Sequence, residues 1–263
     1  MRIVSLCPSL TELVFDLGLG NDLVGRTKFC IHPADRVDAI EKVGGTKNPK
    51  IARIVELAPD IVLLNAEENR REDADALEAA GIECHVSLPR TALDTAAMVR
   101  SIAAAVRAPA EGDRIASDIE TRHARVTAAA QGRATVRFAY LSWRDPWMTV
   151  NADTFVSALL TDAGGDNVFA DRSVRYPTIT DVDLRSAEPD VVFLSTEPFP
   201  FKPAHADELS AASGVARDRF EIVDGELLSW HGSRTPAGID YAEQVIGRVR
   251  SVRYAAPEPS RRA

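Results

Sequence analysis

The side chains in this sequence best suited to holding a small ligand are soft, aromatic and cationic ones gathered in short segments. Cys30-Ile31-His32 offers a thiol and an imidazole within three residues. Such a pair coordinates a transition metal when further donors join it, and otherwise packs or caps a turn. Trp143-Arg144-Asp145-Pro146-Trp147 brings two indoles and a guanidinium together. Flat aromatic faces beside a cation suit a macrocycle or planar chelate, although one indole can equally cap a sheet. Trp230-His231, Tyr176 before Pro177, Phe29 and Phe199 extend the same chemistry. Lys28 and Lys47 can meet carboxylates or phosphates of a ligand, or remain solvated, and Arg70, Arg144 and Lys202 are cations near the two acids that follow. Glu67 and Glu197 can hold a cation, pair with neighbouring arginines, or favour a helix N-terminus. No GxGxxG turn, Walker loop, GxSxG elbow or HExxH pair occurs, so the expectation is binding and not catalysis.

These segments lie between elements that repeat. Leu57 to Glu67 reads LAPDIVLLNAE and Ala187 to Glu197 reads AEPDVVFLSTE, so Pro59, Asp60 and Glu67 match Pro189, Asp190 and Glu197. Each copy ends a helical stretch, turns at Pro-Asp and enters an apolar run of the kind that forms a doubly buried parallel strand. Upstream, Val4-Ser5-Leu6 and Phe138 to Leu141 open the halves as strands, followed by apolar residues at helical spacing; Leu19 to Val24 and Gly164 to Phe169 then each supply a glycine helix stop and a short extended segment. LEAAGI before Cys84 and LSAASGV before Phe220 close the halves alike. Each half therefore reads β, α, β, α, β, and right-handed crossovers fold it into a parallel sheet with helices on both faces.

The expected fold is α/β: two Rossmann-like lobes with parallel sheets joined by a long backbone helix. The segments are an N-terminal lobe over residues 1–91, a helical connector over 92–133, a C-terminal lobe over 134–254 and a disordered tail over 255–263. Pro109 and Gly112 should break the connector, leaving Asp113 to Ala130 as a stiff helix of about 27 Å. Strands of such sheets present ligands with the loops beyond their carboxyl ends, which is where the aromatic segments fall.

A net charge of −8 argues against nucleic acid as a partner. Three widely spaced cysteines do not make a disulfide framework. The opening MRIVSLCP is too short an apolar stretch for a signal peptide. The chain as given is therefore expected to be cytoplasmic, or periplasmic or at the cell surface if an export segment precedes Met1.

The whole pattern resembles the helical-backbone (class III) substrate-binding proteins of ABC importers, in their cobalamin and iron-complex branch. The segments that carry it are SLCPSLTE (Ser5 to Glu12), VGGTKNP (Val43 to Pro49), LAPDIVLL (Leu57 to Leu64), Asp153 to Leu160 and GGDNVF (Gly164 to Phe169). The resemblance implies capture of a cobalamin or other corrinoid, a ferric siderophore or haem in an interlobe cleft, with no intrinsic cofactor and no direct metal site. It implies a monomer that docks on an ABC permease through acidic side chains, here Glu72 and the pair Asp181 and Asp183 flanking Val182. Ligand contacts carried over or read from the loops are Pro8, Lys28, Phe29, Cys30, His32, Lys47, Glu67, Asn69, Arg70, Trp143, Arg144, Trp147, Tyr176, Glu197, Phe199, Trp230 and His231. Where B12-binding members place a Trp at a strand end, this chain has Asn65. A cytosolic metal- or corrinoid-handling protein or enzyme on the same fold is the alternative, as is a metal sensor or store built on Cys30 and His32.

Overall fold

The computed structural model describes residues 1–254 and divides into two compact units; the tail expected over 255–263 lies outside the described residues. The first unit comprises Met1–Thr121 with Trp230–Pro236, and the second runs over Arg122–Ser229 and resumes at Ala237.

In the first unit β1 (Ile3–Ser5), β2 (Leu23–Arg26), β3 (Ile61–Asn65) and β4 (Glu83–Ser87) form a wholly parallel sheet in the order β2-β1-β3-β4. Between them lie α1 (Pro8–Asp16), α2 (Ile51–Glu56) and α3 (Arg71–Ala79), followed by α4 (Ala92–Ala105). All five side chains of β3 are buried, which explains its unbroken apolar run. One face of the sheet packs Val4, Leu6, Val62 and Leu64 against Ile54, Ala74 and Leu77. Pro8 occupies the first turn of α1, where the missing N–H costs nothing.

The connector differs from its expected form. Helix α5 (Pro109–Ala130) starts at Pro109 and runs through Gly112 unbroken. Gly112 is a point of close approach and not a breaker: a Cβ there would lie 2.2 Å from the Ala103 Cβ of α4.

The second unit holds β5 (Val136–Trp143), β6 (Met148–Thr149), α6 (Phe155–Asp162), β7 (Gly165–Asn167), α7 (Asp181–Ala187), β8 (Val191–Ser195), α8 (Pro203–Ser213), β9 (Phe220–Val223), α9 (Gly225–Ser229) and most of α10 (Thr235–Arg253). Strands β7, β8 and β9 run parallel with β5 at their centre or beside it, giving β7-β5-β8-β9 as the counterpart of β2-β1-β3-β4. The short extended segments after α1 and α6 are thus full edge strands, and each sheet has four parallel strands where the sequence reading gave three. Strand β6 is antiparallel to β5 and shares its edge with β7, an addition the first sheet lacks.

The repeated Pro-Asp turn has the same physical content in both copies. Ala58 and Glu188 adopt the left-handed conformation at φ 44 and 46°, and the following proline ends the helix. The Asp60 carboxylate accepts the Arg2 backbone N–H at 2.7 Å, and Asp190 accepts that of Arg137 at 2.8 Å. The two arginine side chains return the favour by donating to the carbonyls of Leu57 and Ala187 that end the helices. Each copy therefore ties the end of one helix to the start of the adjacent strand.

Candidate ligand-binding loops

In both units the aromatic segments emerge from the carboxyl ends of parallel strands, as the sequence implied. In the second unit Trp143 ends β5 and stands 41% exposed, its ring edge-on to Phe199 at 5.8 Å. Phe199 meets buried Phe201 at 4.8 Å, and Phe201 stacks on Trp147 at 6.2 Å and 17°. Arg144 lies over the Trp147 ring at 5.6 Å while its guanidinium binds Glu208 at 2.8 Å. Only the Trp143 end of this ladder of rings faces solvent broadly; the remainder fixes it in place. Tyr176, 37% exposed, lies in a bend just before the segment that pairs with β6, where Pro177 O accepts the Thr149 N–H and Thr178 bridges Met148. Glu197, half-buried, follows β8 in a turn whose backbone N–H donates to Ser195 Oγ at 3.2 Å.

In the first unit the loop after β2 turns Lys28, Phe29 and Ile31 outward, with Phe29 and Ile31 each 50% exposed and the Lys28 ammonium 4.9 Å above the Phe29 ring. His32 is half-buried and meets Trp230 edge-on at 5.5 Å. The exposed Lys47 donates to Glu67 O at 2.6 Å, and Pro8 sits half-buried at the start of α1. Cis bonds at His32–Pro33, Asp145–Pro146 and Glu197–Pro198 fall in these same loops.

Several expected contacts turn out to be braces. Cys30 is fully buried, and its Sγ faces the hydroxyls of Thr11 and Thr27 at 3.0 and 3.1 Å. Burial raises its pKa above the ordinary thiol value, so it is a packed thiol and not an outward donor. It leaves the list of ligand contacts, and with it goes the paired Cys30–His32 donor. Asn69 is buried and spans three elements: its amide donates to Leu6 O and Thr46 O, and its carbonyl accepts the Asn65 N–H. His231, 8% exposed, has one ring nitrogen on Asn65 and the other on Ser9, so it too is a positioning group. Trp230 is 7% exposed, covered on one side by Arg234, which forms a two-pronged ion pair with Glu12. The Trp230–Pro236 segment belongs with the first unit, although it follows the last strand of the second. Arg70 grips Asp73 at 2.8 and 3.0 Å across the first turn of α3.

Among the expected docking acids, Glu72 is exposed on that same turn. Asp183 is committed elsewhere: it closes a capping box with Thr180 and binds Arg172, and those hydrogen bonds hold its pKa down at about 2. Asp181 is half-buried at the start of α7. Among the described residues no group of three His, Cys, Asp or Glu side chains is arranged to hold a metal ion.

Ser5, Ser9, Thr11, Glu12 and Arg234, which residue type alone does not single out, also shape these loops. The SLCPSLTE segment owes its form to them: Thr11 Oγ1 donates to Ser5 Oγ at 2.8 Å, and Ser5 Oγ donates to Cys7 O at 3.1 Å. Hydroxyls at such spacing, beside a strand end, were the available signal.

A family model described as periplasmic binding protein matches residues 3–218. The vitamin B12-binding protein of Vibrio parahaemolyticus is 27% identical over 194 residues, covering 74% of this chain and 70% of that protein. The vitamin B12-binding protein of a Vibrio cholerae O1 El Tor strain is 24% identical over 244 residues, covering 93% and 87%. Among solved structures, the periplasmic vitamin B12-binding protein BtuF of Vibrio cholerae superposes with a TM-score of 0.81 at 23% identity, over 95% of this chain and 97% of that one. The periplasmic heme-binding protein RhuT from Roseiflexus sp. RS-1, without ligand, gives 0.81 at 22% identity, over 95% and 98%. These likenesses show the two-lobed α/β fold. The family match also overturns the cytoplasmic placement expected from the opening residues: it is a family of periplasmic proteins, and the first residues of a binding domain carry no record of how it is exported.

Proposed function

Since the chain belongs to the periplasmic binding protein family, we propose that it captures a metal chelate of the corrinoid, haem or ferric siderophore class for an ABC importer and performs no covalent chemistry on it. The observation that carries this reading is the rigidly backed Trp143, presented edge-on from Phe199 at the end of β5 with Tyr176 exposed on the same unit. An indole held by other rings loses little entropy on meeting a flat macrocycle, which is why such residues dominate binding energies. Taken by itself, the first unit offers exposed apolar surface at Phe29 and Ile31, with Lys28 over the Phe29 ring and exposed Lys47 elsewhere on that unit as cations for anionic substituents. His32 is a further proposed contact on the first unit, Arg144 and Glu197 are proposed contacts on the second, and the metal keeps the donors of its own chelate.

The names of the relatives, B12-binding and heme-binding alike, support the ligand class and leave its member open. Asn65 weighs toward a ligand other than a strict B12 copy: it is buried and bound to His231, so that strand end offers no aromatic wall. Glu72 and Asp181 are the proposed permease contacts, and the working form is a monomer. Gel filtration after incubation with cyanocobalamin, haemin or a ferric siderophore tests the reading, because each chelate absorbs visible light. Co-elution of one chelate at a one-to-one ratio is expected. Elution of the protein free of all three, and of their metal ions, would overturn it.

A further inference from the structure

The buried imidazole of His231 meets groups whose hydrogen-bonding roles are fixed. Asn65 Oδ1 accepts the backbone N–H groups of Glu67 and Glu68 at 2.9 and 3.2 Å, so the amide Nδ2, which can only donate, faces His231 Nε2 at 2.9 Å. Nε2 must therefore carry the lone pair, and the ring proton sits on Nδ1 toward Ser9 Oγ at 3.5 Å. A second proton, on Nε2, would set two donors against each other inside the protein.

From this geometry we propose that His231 is a proton-operated latch: neutral, it fastens the Trp230–Pro236 segment to the turn after β3 and to the first turn of α1, and protonated, it releases that segment. Trp230 has its other anchors in the edge contact with His32 and the cover of Arg234, itself paired to Glu12. The latch thus sets whether Trp230 and the 65–69 turn stay in place beside the contacting loops. Its effect on ligand affinity rests on the proposed function; the release itself does not.

Burial lowers the imidazole to about 4 from an ordinary 6.5. The latched state binds the proton more weakly than the released one, so opening is favoured as pH falls below about 6.5 and the gain levels off below about 4. The other titratable groups on the packed elements are Cys7 on the α1 side, pushed up to about 12 by burial and so neutral throughout, the Glu12–Arg234 pair, His32 across Trp230, and Glu67 and Glu68 in the turn. Glu68 is raised by desolvation and is the acid to be separated from His231.

Hydrogen exchange on the ligand-free protein at about pH 7 and about pH 4.5, corrected for intrinsic rates, reads the latch directly. Amides of residues 65–69 and 230–235 should lose protection by more than about tenfold at the lower pH, and Glu68→Gln should change nothing. His231→Gln can accept from Asn65 without titrating and should flatten the response. Should that variant fail to fold, Asn65→Asp carries the test: its carboxylate accepts from the protonated ring, so the His231 midpoint read by proton NMR should rise and protection persist to lower pH. Unchanged protection in the wild type, or an equal loss in His231→Gln, overturns the latch. Haemin, cyanocobalamin and a ferric siderophore, with their free metal ions, titrated at both pH values separate the two ideas. A latch that opens in a protein binding none of them refutes the proposed function alone, while pH-independent binding with an opening latch refutes the coupling.

Discussion

Cys30 and His231 show why residue type and spacing overstate a site. Both are the kinds of side chain that ligate metals, yet one is walled in by Thr11 and Thr27 and the other is spent on Asn65 and Ser9. Which face of a turn a residue occupies is decided by packing between distant segments, and spacing along the chain does not record it. Replacing Cys30 by Ala should lower stability by about 1–3 kcal/mol in urea denaturation, because two buried hydroxyls lose a partner, and leave chelate affinity within about threefold. A large loss of affinity with unchanged stability would return Cys30 to the ligand site. For His231 the linkage is the reverse of a paired histidine. Its folded pKa lies below the unfolded one, so stability is full above about pH 6.5, declines as pH falls toward about 4, and is reduced by up to about 3 kcal/mol in total. Urea midpoints measured across that window should fall in the wild type and fall less in His231→Gln.

Helix ends and turns carry much of what made the fold readable. The Pro-Asp motif was visible because its chemistry is local: an αL residue, a proline, and an aspartate capping the neighbouring strand. The left-handed Glu188 is exposed and costs roughly 1 kcal/mol relative to glycine, so Glu188→Gly should raise the thermal midpoint by a few degrees. Thr180→Ala should act in the opposite direction, losing about 1 kcal/mol with the capping box of α7, readable by thermal unfolding. What the sequence did not show, that the short extended segment after α6 is a paired strand of the sheet, is tertiary in origin. Gly165-Asp166-Asn167 has little strand propensity and is held extended by pairing with β5, with Gly165 pressed so close to Phe138 that a Cβ would lie 2.8 Å from its ring. Gly112 was misread for the same reason: its conformation is helical, and its smallness serves a neighbouring helix.

Taken whole, the chain repeats one α/β plan and departs from it where ligand contact is proposed. The β5–β6 extension with its Trp-Arg-Asp-Pro-Trp loop exists in the second unit alone, and the first unit instead presents Phe29 and Ile31 from the loop after β2. The repeat, the fold class and the family could be read from the sequence because apolar periodicity and turn chemistry recur at fixed offsets. Compartment could not, since export leaves no mark on the packing of a binding domain. The central claim, that Trp143 meets a metal chelate, is tested most directly by following tryptophan emission while cyanocobalamin, haemin and a ferric siderophore are added to the wild type and to Trp143→Ala. The account expects saturable quenching by one of them in the wild type and an affinity at least about tenfold weaker in the variant, with the thermal midpoint little changed. Equal affinity in the two proteins would contradict it.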